Sequence, residues 1–146
     1  MNQPERFYEA VHSAMAVTLA TASGDSVTMR AVSPVVYDGA ILIFTSADSV
    51  KYRQLDENPH CCIGVEGFFA QASAEFLGKT MAGENAEYRK AYCDKFPKAF
   101  DEGASFGGRA ADFILLKPIR LTGWAFENDL PTEDGIPTIP FSCALE

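Results

Sequence analysis

The sequence predicts an α+β, mainly β fold: about six antiparallel strands in one barrel-like sheet, closed or partly split, with two or three short helices. Three observations predict it. Short segments with two-residue apolar alternation follow one another closely, turn pairs such as Asp38-Gly39 join them, and helical periodicity is confined to brief stretches. Strands that succeed one another through tight turns make an antiparallel meander, whereas a βαβ repeat needs a long crossover at each step.

Asn2-Gln3-Pro4-Glu5 reads as a helix start, with Asn2 as cap and Glu5 placed for a capping box. Phe7, Val11, Ala14 and Met15 then fall on one face, and the helix is expected to end near Ala14. Val17 to Thr21 alternates as a half-buried strand, and Ser23-Gly24-Asp25 supplies a turn. Val27 to Tyr37 reads as one long strand with Pro34 at an edge or bulge. Asp38-Gly39 is a two-residue hairpin signal leading into the apolar strand Ala40 to Thr45. Ser46 to Ser49 offers capping side chains for a helix from about Ser49 to Glu57, which Asn58-Pro59 stops. Cys61 to Val65 and Gln71 to Leu77 read as antiparallel partners, Gly83 to Lys95 as a further helix, and Asp112 to Lys117 with Ile119 to Phe126 as strand bent at Pro118. One domain is expected over residues 1–146, with an irregular, proline-bearing arm over 127–146.

At 47% hydrophobic and 12% aromatic the chain can bury a core, so wholesale disorder is excluded. A net charge of −8 leaves no basic surplus for nucleic acid. No apolar run is long enough to span a bilayer, and Met1 to Met15 lacks the layout of a secretory signal, so a cytoplasmic protein beginning near Met1 is expected. Cys61, Cys62, Cys93 and Cys143 form no C-x-x-C pair, and with only His12 and His60 to help them no metal site is expected. Reduced thiols are the expectation for all four.

The chemistry concentrates in Met29-Arg30-Ala31-Val32-Ser33 and Thr45-Ser46-Ala47-Asp48-Ser49-Val50-Lys51. Pairing through the Asp38-Gly39 hairpin is expected to bring Arg30 near Thr45 to Ser49. A guanidinium, an ammonium, hydroxyls and helix N-terminal N–H groups would then converge, which suits a phosphate monoester. Taken alone, the same residues also read as a solvated strand arginine and a surface lysine. No Gly-rich dinucleotide or P-loop motif is present.

Taken together the pattern resembles the FMN-binding, pyridoxamine 5′-phosphate oxidase-like split-barrel family. The likeness runs through Leu19-Ala20-Thr21, Met29-Arg30-Ala31-Val32, Asp38-Gly39 with Ile43-Phe44-Thr45-Ser46, Ser49-Val50-Lys51-Tyr52-Arg53-Gln54-Leu55 and Asn58-Pro59. It continues at Gln71-Ala72-Ser73-Ala74 with Gly78, at Phe113 to Pro118 and at Gly123-Trp124, and so covers about Val17 to Trp124. The resemblance implies a six-stranded antiparallel split β-barrel with FMN at a homodimer interface. Within it, Arg30 and Lys51 would hold the phosphate with Ser49 assisting. Phe44 and Thr45 would lie along the isoalloxazine, and the backbone of Ala31, Val32 and Ser33 would contact it. Gln71 would reach the flavin, commonly from the other subunit, and Trp124 falls near a family aromatic beside the ring.

Departures narrow the activity. The oxidase itself ends in a region rich in Arg and His, whereas Glu127 to Glu146 contains no Arg, Lys or His, so vitamin B6 oxidation is not expected. Met81 to Arg109 inserts a helix placed either to cap the flavin or to build a substrate pocket; Arg109 reads as reaching that pocket or as a surface loop residue. No protein nucleophile or acid–base pair stands out, which agrees with a flavin carrying the chemistry. The implied activity is oxidoreduction of a small molecule with NADH, NADPH or oxygen as redox partner. Other readings are a non-catalytic flavin carrier, sensor or stress protein, a deazaflavin barrel, and a haem-binding barrel for which His60 is a poor axial ligand.

Overall fold

The computed structural model describes residues 1–104, 107–126 and 135–145. Helix α1 (Gln3–Ser13) starts where Asn2 Oδ1 accepts the Glu5 N–H at 2.9 Å, and it buries Phe7, Ala10 and Val11. The chain turns extended at Ala14, so Met15 leaves the expected helical face and is 65% exposed.

Strands β1 (Val17–Ser23) and β2 (Ser26–Val32) form one hairpin, and β3 (Val35–Tyr37) and β4 (Ala40–Thr45) form another. In the second, Asp38 and Gly39 have φ of 47° and 77°, the left-handed pair that a type I′ turn requires. The single strand expected over 27–37 is therefore two strands. Pro34 has a fixed φ and no N–H, so the ladder cannot run through it. Helix α2 (Val50–Glu57) is capped by Ser49, whose Oγ accepts the Tyr52 N–H at 3.2 Å. Strands β5 (His60–Val65) and β6 (Phe68–Lys79) follow, then a 3₁₀ turn at Gly83–Asn85 that runs into α3 (Ala86–Lys95).

Strand β7 (Asp112–Ala125) runs on through Pro118: Gln71 pairs with Arg120 and Ala72 with Pro118, which leaves Ile119 as a bulge. Part of the expected irregular arm is strand β8 (Ile139–Ala144), paired with β7; residues 127–134 of that arm lie outside the described residues. Pro140 is accommodated because β8 has β7 as its one partner and can turn the missing N–H away from it.

Among the described residues the sheet is antiparallel and has eight strands, in the order β2-β1-β5-β6-β7-β4-β3 with β8 also on β7. The expected count of six is exceeded by the separate β3 and by β8. The end strands β2 and β3 do not pair, so the sheet is not closed by hydrogen bonds. They are nonetheless joined by Ser33-Pro34 alone, which forces the sheet to curl until its two edges meet at that corner. Strand β4 and the first part of β7, Asp112 to Leu116, are buried on both faces. Ile41, Ile43, Ile114 and Leu116 join Phe7, Leu19 and Leu55 in one cluster, while Leu42, Phe113 and Leu115 join Tyr92, Ala99 and Phe100 beneath α3 in another. Burial of both faces explains why Ala40 to Phe44 and Phe113 to Leu116 show no polar alternation.

Candidate cofactor-binding cleft

Alternation along β2 turns Thr28, Arg30 and Val32 inward and Val27, Met29 and Ala31 outward. The Arg30 guanidinium is fixed there: Nη1 donates to Leu19 O at 3.1 Å and to Thr21 Oγ1 at 2.8 Å, and Nη2 donates to Thr28 Oγ1. Thr21 and Thr28 face each other in the β1–β2 ladder, and both donate to Gln54 Oε1 at 2.6 Å. Gln54 is buried and sits one helical turn beyond Lys51, so α2 carries one cation and anchors the shelf that holds the other. A guanidinium has five N–H donors, and these bonds engage three of them.

Lys51 is half-buried. Burial first, and then the charge of Arg30, push its pKa below the ordinary 10.5. Burial also lowers the pKa of Arg30. Among the described residues neither cation has a carboxylate partner. The acid opposite Thr45 in the β4–β7 ladder, Asp112, is instead engaged by Lys79 at 2.9 Å and by the Tyr52 hydroxyl at 3.3 Å. The expected route to this meeting was different. The Asp38-Gly39 hairpin pairs β3, not β2, with β4, because Pro34 separates the two strands. It is α2 lying against β1 that brings Lys51 to Arg30.

Lys51 borders a cleft of about 410 Å³ lined by Ala31, Val32, Ser33, Phe44, Thr45, Ser46, Ser49, Lys51, Tyr92 and Phe96. Seven of the ten residues singled out in the sequence line it: Ala31, Val32, Ser33, Phe44, Thr45, Ser49 and Lys51. Arg30 stands behind Lys51, outside the lining. Thr45 Oγ1 and Ser49 Oγ lie 3.0 Å apart, and Ser49 also caps α2, so the hydroxyls, the helix start and the lysine share one wall. Phe44 faces Tyr92 across 5.0 Å between ring centroids, and Tyr92 lies 5.2 Å from Phe96. The helix of the Met81 to Arg109 segment thus supplies the opposite, aromatic wall. Arg109 does not take part; it is exposed and donates to Phe100 O at 3.2 Å.

Gln71 and Trp124 lie elsewhere. Gln71 is exposed on β6 beside a separate hollow of about 430 Å³ that also includes Ala20, Val27 and Cys62. Trp124, 59% exposed on β7, borders a third hollow against α1. Within one chain, neither reaches the cleft.

No family model matches the sequence, and no curated protein matches it by sequence. Solved structures match it by fold. A Listeria innocua protein named for pyridoxamine 5′-phosphate oxidase is 12% identical, covering 82% of this chain and 96% of its own, with a TM-score of 0.62. A FAD-binding protein of Mesorhizobium loti is 14% identical over 83% of this chain and 92% of its own, with a TM-score of 0.63. The chain has the fold of the pyridoxamine 5′-phosphate oxidase-like split barrels. That split-barrel fold also includes HutZ, a haem storage protein of Vibrio cholerae, 14% identical over 89% of this chain and all of its own, with a TM-score of 0.69. The likeness read from sequence motifs therefore holds at the level of the split-barrel fold.

Five side chains at this cleft, Thr21, Thr28, Gln54, Tyr92 and Phe96, were not singled out from sequence. Thr21 and Thr28 carried a signal, since they pair across a hairpin and Thr28 shares the face of Arg30 at two-residue spacing. Gln54 carried a weaker one, three residues from Lys51. Tyr92 carried none, because its nearness to Phe44 depends on how α3 docks.

Proposed function

We propose that the chain is an FMN-binding flavoprotein, an oxidoreductase that moves two electrons between a small molecule and NADH, NADPH or oxygen. The observation that carries this reading is the pair Arg30 and Lys51, held together beside a cleft with no carboxylate between them among the described residues. Two partly desolvated like charges repel, and a phosphate dianion relieves that repulsion while accepting their free N–H groups. The N–H groups of Val50 and Lys51 precede the first intrahelical bond, donated by Arg53 to Ser49 O, and add to the same anion site.

When bound, FMN supplies hydride chemistry at its ring. The chain's own residues bind, orient and shield it. Arg30 and Lys51 hold the phosphate, and the Gln54–Thr21–Thr28 network keeps Arg30 from swinging into solvent. Thr45 and Ser49 offer hydroxyls beside the phosphate group. Phe44, Tyr92 and Phe96 form an apolar surface that excludes water from a planar ring. Among the described residues the cleft lining contains no His, Cys or Met, and its tyrosine, Tyr92, spends its hydroxyl on Ser33 O, so flavin suits the cleft better than haem. A deazaflavin also carries a phosphate and would use the same cations.

We further infer a C2 homodimer of a cytoplasmic, single-domain protein. The outward face of β2, β6 and β7 exposes Val27 at 72%, Met29 at 70%, Phe69 at 50% and Trp124 at 59%. An apolar sheet face of this kind marks an interaction surface. Gln71 is on it, and Ala31 belongs to both that face and the cleft, so pairing would carry Gln71 and Trp124 toward the second copy's cofactor.

The test is a visible spectrum of the purified protein, taken before and after adding FMN and repeated with Arg30→Ala, Lys51→Ala. Bound-flavin bands that the double variant loses would support the reading, and NADH or NADPH bleaching them would favour an enzyme over a carrier or sensor. A chain that ignores FMN at high micromolar concentration and takes up haemin would contradict it.

A further inference from the structure

The corner where the two edges of the sheet meet poses a hydrogen-bonding problem. Residues 33 and 34 belong to no ladder, and Pro34 has no N–H, so the carbonyls of Ser33 and Pro34 lack strand partners. Helix α3 supplies both donors. The Tyr92 hydroxyl donates to Ser33 O at 2.9 Å, and one turn later Lys95 Nζ donates to Pro34 O at 2.8 Å and to Val11 O at 3.1 Å. Tyr92 is 3% exposed, so its hydroxyl has no ready substitute in water. Burial raises its pKa well above the ordinary 10, which keeps it a protonated donor across the neutral range. Its ring also packs against Phe44 and Phe96. One side chain therefore fixes the Ser33 peptide and aligns two aromatic rings, and all of these line the same cleft.

We propose that Tyr92 is the positioning residue for the ring-binding part of the cleft: through its hydroxyl it orients Ser33 at the Ser33–Pro34 peptide, and through its ring it orients Phe44. The proposal rests on the flavin reading above and deepens it by separating two functions within one cleft. The α2 wall grips the phosphate, and α3, acting through Tyr92, organises the surface that meets the isoalloxazine.

Tyr92→Phe isolates the hydroxyl, since the ring and its packing remain. FMN and riboflavin are the probes, each titrated by quenching of flavin fluorescence against the wild type, Tyr92→Phe and Lys51→Ala. Loss of one buried hydrogen bond predicts that Tyr92→Phe weakens both ligands by the same factor, about three- to tenfold, and shifts the long-wavelength band of the bound flavin. Lys51→Ala is expected to weaken FMN and spare riboflavin. Thermal unfolding of the same variants separates positioning from bulk stability. If Tyr92→Phe lowers Tm yet binds both ligands with wild-type affinity and an unshifted band, Tyr92 is structural only and the proposal is overturned, while the phosphate site stands. A loss confined to FMN would overturn it as well, by placing Tyr92 at the phosphate. Failure of the wild type to bind either flavin would remove the flavin reading itself.

Discussion

The two walls of the cleft solve the same task with opposite chemistry. On the α2 wall, Arg30 is held by a relay of Thr21, Thr28 and Gln54, and Lys51 stands beside it with no counter-ion among the described residues. On the α3 wall, Phe44 and Phe96 each pack against Tyr92, whose hydroxyl ties the group to the Ser33 backbone. The polar wall leaves charge unspent and so asks for an anion. The aromatic wall is internally satisfied and offers only area. A ligand matching both would carry an anionic group, a phosphate in our proposal, at one part and a flat apolar ring at another.

The largest separation of the walls is expected from Arg30→Ala. Removing a charge-assisted contact should weaken FMN by about ten- to a hundredfold and leave riboflavin nearly unchanged, as read by fluorescence titration. The polar wall can be broken more selectively at Gln54. Gln54→Glu keeps an acceptor for both threonines but sets a carboxylate next to Arg30, so FMN affinity should fall by about tenfold with little change in Tm. Gln54→Leu leaves the two threonine hydroxyls without their acceptor, at a cost of about 1–3 kcal/mol in stability measured by denaturant unfolding.

A smaller effect is expected from pH. Lys51 must be charged to hold phosphate, and its pKa in the free protein lies below the ordinary 10.5. FMN affinity should therefore decline as pH rises through that lowered value, earlier than for a solvated lysine. Lys51→Arg should flatten the decline, and riboflavin should not show it. The smallest effect belongs to the aromatic wall. Phe96→Leu should weaken FMN and riboflavin alike by about threefold, since one ring–ring contribution is worth about 0.5–1.5 kcal/mol.

How much of this was legible depended on whether the cause was local. Strand β4 ran over Ala40–Thr45 as expected, because Asp38-Gly39 encodes the turn before it and Ser49 the cap after it. Seven cleft residues were legible because they cluster in two short segments that converge on one corner. In the sequence Pro34 reads as an edge or a bulge within one strand, although a missing donor between two edges ends one strand and starts another. Strand β8 was illegible because Pro137 and Pro140 suggest irregular chain. What makes it a strand is the edge that β7 offers, and there Gly123 leaves room: a Cβ would sit 2.8 Å from Gly67 O and 2.9 Å from the Phe141 ring. Tyr92 was illegible for a related reason. Its partners Ser33 and Phe44 are far away along the chain, and no periodicity reports a contact made by docking α3.

In our proposal Arg30 and Lys51 form a phosphate site serving a flavin in the adjoining cleft. Its most direct test is the ratio of FMN to riboflavin affinity in the wild type and in Arg30→Ala, Lys51→Ala, measured by titration calorimetry at fixed ionic strength. The wild type is expected to prefer FMN by about a hundredfold or more, and the double variant to bind the two flavins equally. Equal affinity for both flavins in the wild type, or a preference for FMN that survives in the double variant, would contradict it.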